Sequence, residues 1–369
     1  MNIVWFTWKD ADNPLAGGAE VINEALAIRL AAAGHTVTFL TAGFPGADQK
    51  TSRHGFHIVR TGSRFTNYFT SRAYFLRHKS ALLPDLVIDE CNTMPYFAGW
   101  YTKTRTVLFF HMLCREIWFY EFPQPLSSTG YLLEPLYLRL LRPKSTVITI
   151  SESTKQDLTR CGFKASNIHI IPEAITLKPV TNLAALTKFE TPTVLIHGSM
   201  RSMKRTLEAV KAFELAKALI PDLSLILSGD SSGPYGQKVL GYIKNSPHEA
   251  SIRYMGRIDE AAKIKLMQKT HAILVTSVKE GWGLIVTEAA SQGTPAVVYN
   301  VDGLRDSVRH RVTGLIAPQN TPAALARSIQ TLLEDPKTYE SYRLAGWEWS
   351  KTLTADRTYA AFTAALGIL

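Results

Sequence analysis

The chain has 369 residues, more than a single core usually accommodates, and its hydrophobic fraction of 46% is that of an ordinary globular protein. The net charge of +10 is spread over both halves, with 18 basic and 14 acidic residues in 1–175 and 23 and 17 in the rest, so neither half is a basic tail. No uninterrupted apolar run reaches about 18 residues, which excludes a transmembrane helix, and three widely spaced cysteines, Cys91, Cys114 and Cys161, argue against a disulfide frame or a thiolate metal site.

Met1-Asn2-Ile3-Val4-Trp5-Phe6 lacks the basic leader of a signal peptide, and Asn2–Phe6 reads as a first strand. Gly18–Ala33 follows as a helix closed by Gly34, then Thr36–Leu40 as a second strand. Between Asp48 and Asp85 lie seven cations and no anion: Lys50, Arg53, Arg60, Arg64, Arg72, Arg77 and Lys79, interleaved with Phe56, Phe65, Tyr68, Phe69, Tyr74 and Phe75. Such a stretch suits an anionic partner such as a lipid headgroup, a lipid-linked pyrophosphate or nucleic acid, or else is a solvated basic face over buried aromatics. Asp85–Ile88, Arg105–Phe110 and Thr146–Ile150 read as further buried strands, and Ser151 or Ser153 caps the helix after them. The polar stretch 173–192, preceded by Pro172 and punctuated by Pro179 and Pro192, reads as a linker.

A second alternation follows: Thr193–His197 a strand, Lys204–Leu219 a helix, Leu223–Leu227 a strand, then Ile252–Met255, Ala272–Thr276 and Ala296–Tyr299 as strands. Pro322 suits the first position of a later helix, and Ala355–Leu366 is the last. Repeated strand–helix alternation is the pattern of open parallel sheets covered by helices, whose ligands bind at the strands' carboxyl ends. The chain therefore reads as two Rossmann-like α/β domains, 1–175 with 352–369 and 176–351.

The most informative stretch is Glu280-Gly281-Trp282-Gly283-Leu284-Ile285-Val286-Thr287-Glu288. The apolar run Ala272–Thr276 ends before it, and a small-residue helix stopped by Gly293-Thr294-Pro295 follows it. A Gly-rich turn after a strand leaves backbone N–H groups unpaired at a helix N-terminus, where phosphate binds. Glu288 falls about one and a half turns into that helix, at roughly 3.6 residues per turn. A carboxylate there can accept hydrogen bonds from a ribose diol, and Glu280 can reach another part of the same ligand. This outlines a nucleotide-sugar site. Gly17-Gly18 opens the first helix and lets a ligand approach the backbone, but the surrounding Leu15-Ala16-Gly17-Gly18-Ala19-Glu20 is not the dinucleotide Gly-x-Gly-x-x-Gly. Asp10-Ala11-Asp12 has the spacing of a metal-binding acidic pair but lies in a loop without further ligand signals, and reads as a polar loop.

The stretch resembles the Glu-x7-Glu signature of retaining glycosyltransferases of the GT-B fold, in particular family 4. Tyr254-Met255-Gly256-Arg257, Gly293-Thr294-Pro295, Asp302-Gly303-Leu304, His310-Arg311-Val312-Thr313-Gly314 and Ala16-Gly17-Gly18-Ala19-Glu20 carry the same resemblance across nearly the whole chain. It implies two domains facing across a cleft, with the C-terminal helix crossing back to the N-terminal domain. It implies that Glu280, Lys204 and His111 carry the catalytic roles. Donor binding then falls to Gly17, Gly18, Arg201, Arg205, Arg257, Ile258, Gly281, Trp282, Gly283, Leu284, Ile285 and Glu288, with Arg257 and Ile258 beside the nucleobase. The family places an Arg directly after the glycine of the first C-terminal-domain strand; here Ser199 holds that position and Arg201 stands two residues on, while Lys204 fits the Lys position. Arg115 and Glu116 are weaker acceptor candidates, Asp89-Glu90 ends another strand, and Ser228-Gly229-Asp230 fits a family turn.

The expectation is a metal-independent, cofactor-free enzyme that takes a nucleotide-sugar donor and a saccharide or lipid-linked acceptor. It would work in the cytoplasm with peripheral contact to an anionic membrane, and would not bind nucleic acid. The rivals are a GT-B epimerase or phosphorylase, and a non-enzymatic basic membrane-binding module.

Overall fold

Strands and helices alternate along the whole chain, and the computed structural model describes residues 1–141 and 146–368. The chain forms two units. Unit 1 comprises Met1–Arg115, Thr129–Ala174 and the residues from Ala355 on; unit 2 comprises Glu116–Ser128 and Ile175–Thr354.

From the N-terminus the elements are β1 (Asn2–Phe6), α1 (Gly18–Ala32), β2 (Thr36–Thr41), β3 (Lys50–Arg53), β4 (Phe56–Arg60), α2 (Asn67–Leu82) and β5 (Leu86–Cys91). Then come α3 (Ala98–Tyr101), β6 (Arg105–Phe110), α4 (Trp118–Glu121), α5 (Leu126–Leu141), β7 (Thr146–Thr149), α6 (Glu152–Arg160) and β8 (Ile168–Ile170). The sheet of unit 1 runs β3-β4-β2-β1-β5-β6-β7-β8, parallel throughout except for the hairpin β3–β4. Helices on both faces bury the central strands, so β5 carries no exposed residue although it reads Leu-Val-Ile-Asp-Glu-Cys. The final helix, Ala355–Leu366, lies on the face of Trp5, whose ring stacks on Phe362 at 5.6 Å. The strand order reverses between β1 and β5, which makes that edge the switch point of the sheet.

Unit 2 continues with β9 (Thr193–His197), α7 (Thr206–Lys217), β10 (Ser224–Ser228), α8 (Pro234–Lys244), β11 (Ile252–Tyr254), α9 (Glu260–Lys269) and β12 (Ala272–Val275). It ends with α10 (Leu284–Ser291), β13 (Ala296–Val298), α11 (Leu304–Ser307), β14 (Gly314–Ile316), α12 (Pro322–Glu334) and α13 (Pro336–Ser350). Its all-parallel sheet runs β11-β10-β9-β12-β13-β14, with the switch point between β9 and β12.

Three expectations change. Residues 116–128, expected in the N-terminal domain, cluster with unit 2: α4 packs on the turn Ser202–Lys204, and the Arg205 guanidinium lies 5.7 Å from the Tyr120 ring. The expected linker is tied down over its second half. Lys188 Nζ donates to Thr270 O and Gly293 O at 2.8 Å each and to Thr294 Oγ1 at 2.6 Å, and burial holds the ammonium well below its ordinary pKa. The helix expected from Lys204 begins at Thr206, because Arg205 takes a left-handed conformation, φ 52°, and the Lys204 and Arg205 carbonyls accept from Thr276 Oγ1 at 3.1 and 3.0 Å. Arg142 to Ser145 and Leu369, inside the expected domain ranges, lie outside the described residues.

Candidate donor-sugar site

The switch point of unit 2 brings the loop after β9 beside the loop after β12. From the first comes Lys204, from the second Glu280, and Lys204 Nζ donates to Glu280 Oε1 at 2.6 Å. The same carboxylate oxygen accepts from Ser277 Oγ at 2.5 Å. Both charged side chains remain partly open to solvent, so a ligand can reach them.

Backbone constraints hold Glu280. Its N–H donates to Asp302 O at 3.1 Å, and Lys279 Nζ, almost fully buried, pairs with the Asp302 carboxylate at 2.6 Å. Gly303 lies against this strut at φ 78°, where a Cβ would sit 2.3 Å from Glu280 O. Gly303 is thus required both by its left-handed conformation and by the close approach.

Gly281 and Trp282 lead to Gly283, the residue before α10, at φ 99°. No side chain caps this helix, so the backbone N–H groups of Gly283, Leu284 and Ile285 face outward from its start. Such a terminus carries partial positive charge and accepts an anion. Trp282 is half-buried, 6.2 Å from the Trp349 ring, and its Nε1 is buried without a partner.

Glu288 follows on the same helix and is buried. Lys263 Nζ reaches its two carboxylate oxygens at 3.3 and 3.2 Å, and Thr176 Oγ1 donates to it at 2.9 Å. Lys263, on α9, is the functional candidate that the sequence does not reveal. It stands 25 residues from Glu288, and no motif links the two.

The remaining candidates in unit 2 divide. Arg201 is exposed and touches Met203 Sδ at 3.3 Å. Arg205 pairs with Glu208 at 3.0 Å and lies over Tyr299, whose hydroxyl donates to Glu208 at 2.8 Å. Arg257 donates to Asp230 at 3.0 Å on the open surface, and this hydrogen bond holds the Asp230 carboxyl down at about 2. Ile258 is half-buried, and Asp259 beside it caps α9 by accepting from Ala262 N–H at 2.7 Å.

In unit 1, Gly17 precedes α1, and its N–H donates to Glu20 at 2.6 Å, with Gly18 as the first helical residue. His111 ends β6. Burial lowers its pKa to about 4 and raises that of Glu90, on β5, to about 8. Their 3.8 Å separation is therefore a contact of two neutral groups and not an ion pair. Asn23 Nδ2 donates to Glu90 Oε2 at 2.7 Å, so Asn23 Oδ1 accepts from His111 Nε2–H at 3.1 Å. This fixes the tautomer and leaves His111 Nδ1 a buried acceptor with no partner. Asp89 is structural: it accepts from the N–H groups of Tyr96 and Ala98 at 2.8 Å each.

The acidic pair near the N-terminus is taken up by arginines. Arg60 donates to both oxygens of Asp10 at 2.8 Å and to Asp12 at 2.7 Å, and Arg53 pairs with Asp12 and Glu24. Arg115 N–H donates to Glu134 at 2.7 Å, so that segment is anchored as well.

Two Rossmann-like α/β units with strand-end sites are the architecture of the GT-B fold. The "Glycosyl transferases group 1" family model matches residues 184–349 and the "Glycosyltransferase Family 4" model matches residues 16–178; the chain belongs to this family of glycosyltransferases. Among curated relatives, the glycogen synthase of Mycobacterium tuberculosis is 25% identical over 198 residues, 53% of this chain and 47% of the relative, so the match spans about half of that protein's length. Among solved structures, sucrose-phosphate synthase from Thermosynechococcus elongatus superposes with a TM-score of 0.79 at 21% identity, over 99% of this chain and 98% of the other. Anabaena HepE in complex with UDP-glucose gives 0.73 at 16% identity, over 100% and 99%.

Proposed function

We propose that the chain is a retaining, metal-independent glycosyltransferase. It moves a sugar from a nucleoside-diphosphate sugar to a saccharide or lipid-linked saccharide, in cell-surface glycan assembly on the cytoplasmic side of a membrane. The observation that carries this is the Lys204–Glu280 pair at the switch point, beside the uncapped start of α10 and ahead of Glu288 on the same helix.

The diphosphate needs positive charge, which grows in importance as the bond to the sugar breaks. Lys204 supplies one cation, and the N–H groups at the start of α10 receive phosphate oxygens. Glu280 accepts from sugar hydroxyls, and Glu288, oriented by Lys263, accepts from the ribose diol. Arg257 and Ile258 border the nucleobase. On unit 1, His111 Nδ1 is free to accept from a hydroxyl, and the Gly17-Gly18 backbone lets a ligand approach closely.

In the transfer the acceptor hydroxyl attacks the anomeric carbon from the face that the leaving group departs. The new C–O bond forms as the bond to the diphosphate breaks, and the acceptor's proton passes to the departing phosphate oxygen. Support for metal independence comes from Asp10 and Asp12, whose oxygens are engaged by Arg60 and Arg53.

A thermal-shift screen of UDP-, GDP- and ADP-sugars, followed by assay of sugar transfer and hydrolysis, tests the function. A donor at about 100 times its dissociation constant adds roughly 2.7 kcal/mol of stability. Stabilisation by one of them with release of the nucleoside diphosphate is expected; neither stabilisation nor sugar release from any of them overturns it.

A further inference from the structure

Of the seven cations between Asp48 and Asp85, the structure removes two from any docking role. Arg60 is buried on Asp10, and Arg53 is paired with Asp12 and Glu24. Arg64, Arg72 and Arg77 stay exposed on and beside α2, without ion-pair partners among the described residues. Phe69, Arg72 and Leu76 share one outer face of α2, at three- and four-residue spacing, and Phe65 just before the helix extends it. Phe65 and Phe69 are 72% and 73% exposed.

A second apolar surface was not visible in the sequence. On α5, Ser127, Gly130, Glu134, Leu138 and Leu141 turn inward, while Leu132, Leu133, Leu136 and Leu140 turn outward, Leu132 to 66% exposure. At about 100° per residue the four outer leucines fall within an arc of about 100° on the helix. The helix thus presents leucine to solvent where a surface helix normally presents charge.

Register places α2 and α5 on one face of the unit 1 sheet. Phe6 pairs with Asp89 and Asp89 with Leu108, so these side chains project to the same side. Phe75 of α2 packs with Phe6, and Leu138 of α5 packs with Leu108. Between the two helices, α3 closes the gap. Tyr101 lies 6.0 Å from Phe75 and under Arg72, Phe97 lies 6.4 Å from Tyr137 on α5, and Trp100 beside Phe97 is 59% exposed.

The result is a continuous face of leucine, phenylalanine and tryptophan fringed by arginine. The three helices contain a single acidic residue, Glu134, and it is buried. We propose that this α2–α3–α5 face docks flat on an anionic phospholipid surface, with the leucines of α5 and Trp100 at the headgroup–acyl boundary and Arg64, Arg72 and Arg77 on the phosphates. Charge decides among occupants. Two copies packed face to face would bring arginines against arginines with no carboxylate between them, whereas an anionic leaflet complements them. No helix among the described residues is long and apolar enough to cross a membrane, which fits attachment along the surface. The proposal goes beyond the transferase function, and vesicle binding needs no donor, so the two can fail separately.

Sedimentation of the full chain with phosphatidylcholine vesicles containing about 30% phosphatidylglycerol, with light scattering of the protein alone, tests it. Binding is expected at low salt and should fade in 1 M salt, where the Debye length falls to about 3 Å. Arg72→Ser/Arg77→Ser should weaken partitioning about 30-fold, at roughly 1 kcal/mol per cation. Leu132→Ser/Leu136→Ser should weaken it at least about tenfold. Far-ultraviolet circular dichroism and the cooperative melting of the parent should persist in both variants, which shows that they fold. Absence of binding to anionic vesicles, binding that ignores both variants, or a dimer that the leucine changes dissociate overturns the proposal.

Discussion

Lys204 Nζ lies 2.6 Å from Glu280 Oε1, joining the loops after β9 and β12 where the strand order of unit 2 reverses. Without a donor the cation and the carboxylate satisfy each other. A bound nucleotide-sugar would take a phosphate oxygen to Lys204 and a hydroxyl to Glu280, so the pair is held in place before the ligand arrives. Lys204→Ala should lower kcat by about 100- to 1,000-fold, the range for losing one preorganised partner of developing negative charge. Donor affinity should fall far less. Single-turnover kinetics beside calorimetry separates the two, and an unchanged kcat would remove Lys204 from the chemistry.

Glu288→Ala should weaken donor binding by about 1.5–3 kcal/mol, the range for a hydrogen bond to a charged group. It also leaves Lys263 without its carboxylate. Calorimetry on the folded variant is the check. Unchanged affinity would refute the ribose role and leave Glu288 as a structural partner of Lys263 and Thr176.

Gly303→Ala should unseat the Glu280 loop. A Cβ at φ 78° would meet Glu280 O at 2.3 Å, and the left-handed conformation alone costs roughly 1–2 kcal/mol in a non-glycine residue. Urea denaturation should show a loss of at least that size, with weaker donor binding beside it. A variant as stable as the parent would show that the loop relaxes freely.

Transfer should survive EDTA, since Lys204 and the start of α10 stand where a divalent cation would otherwise be needed. Loss of transfer on chelation, restored by Mg²⁺ or Mn²⁺, would reverse this and return attention to Asp10 and Asp12.

The buried pair in unit 1 predicts a pH dependence of stability. Glu90 is raised to about 8 from an ordinary 4.5, so folding favours its protonated form; this contribution is full below about 4.5 and is lost as pH rises through 8. His111 is lowered to about 4 from 6.5, so the unfolded chain binds its proton more readily, and stability from this group rises with pH between 4 and 6.5. The two slopes oppose each other below 6.5, and above it only that of Glu90 remains. Melting between pH 6.5 and 8.5 should therefore show declining stability, and Glu90→Gln, which keeps an acceptor for Trp5 and Asn23, should make the decline shallower, with the remainder coming from buried Glu173, also raised to about 8. Equal slopes in the two proteins would refute it.

Much of this protein is legible along the chain because the signals are local. Buried parallel strands appear as apolar runs, glycines mark where strands turn into helices, and Glu280, Gly283 and Glu288 declare a strand-end site within nine residues. Family resemblance rests on the same short motifs. What tertiary structure decided depends on residues far apart. Lys263 becomes the partner of Glu288 only when α9 and α10 pack together, and Asp10 and Asp12, read as a polar loop, find their partner Arg60 only when it arrives from β4. Arg205 finds Glu208 and Tyr299 only in the fold, and the second half of the apparent linker is fixed by the buried ammonium of Lys188. The leucines of α5 show the limit most plainly. Periodicity reveals that a helix has an apolar side, but only the packed sheet shows that Leu138 and Leu141 already cover it, leaving four further leucines on the outside. Side-chain spacing is a property of the chain, whereas burial belongs to the fold.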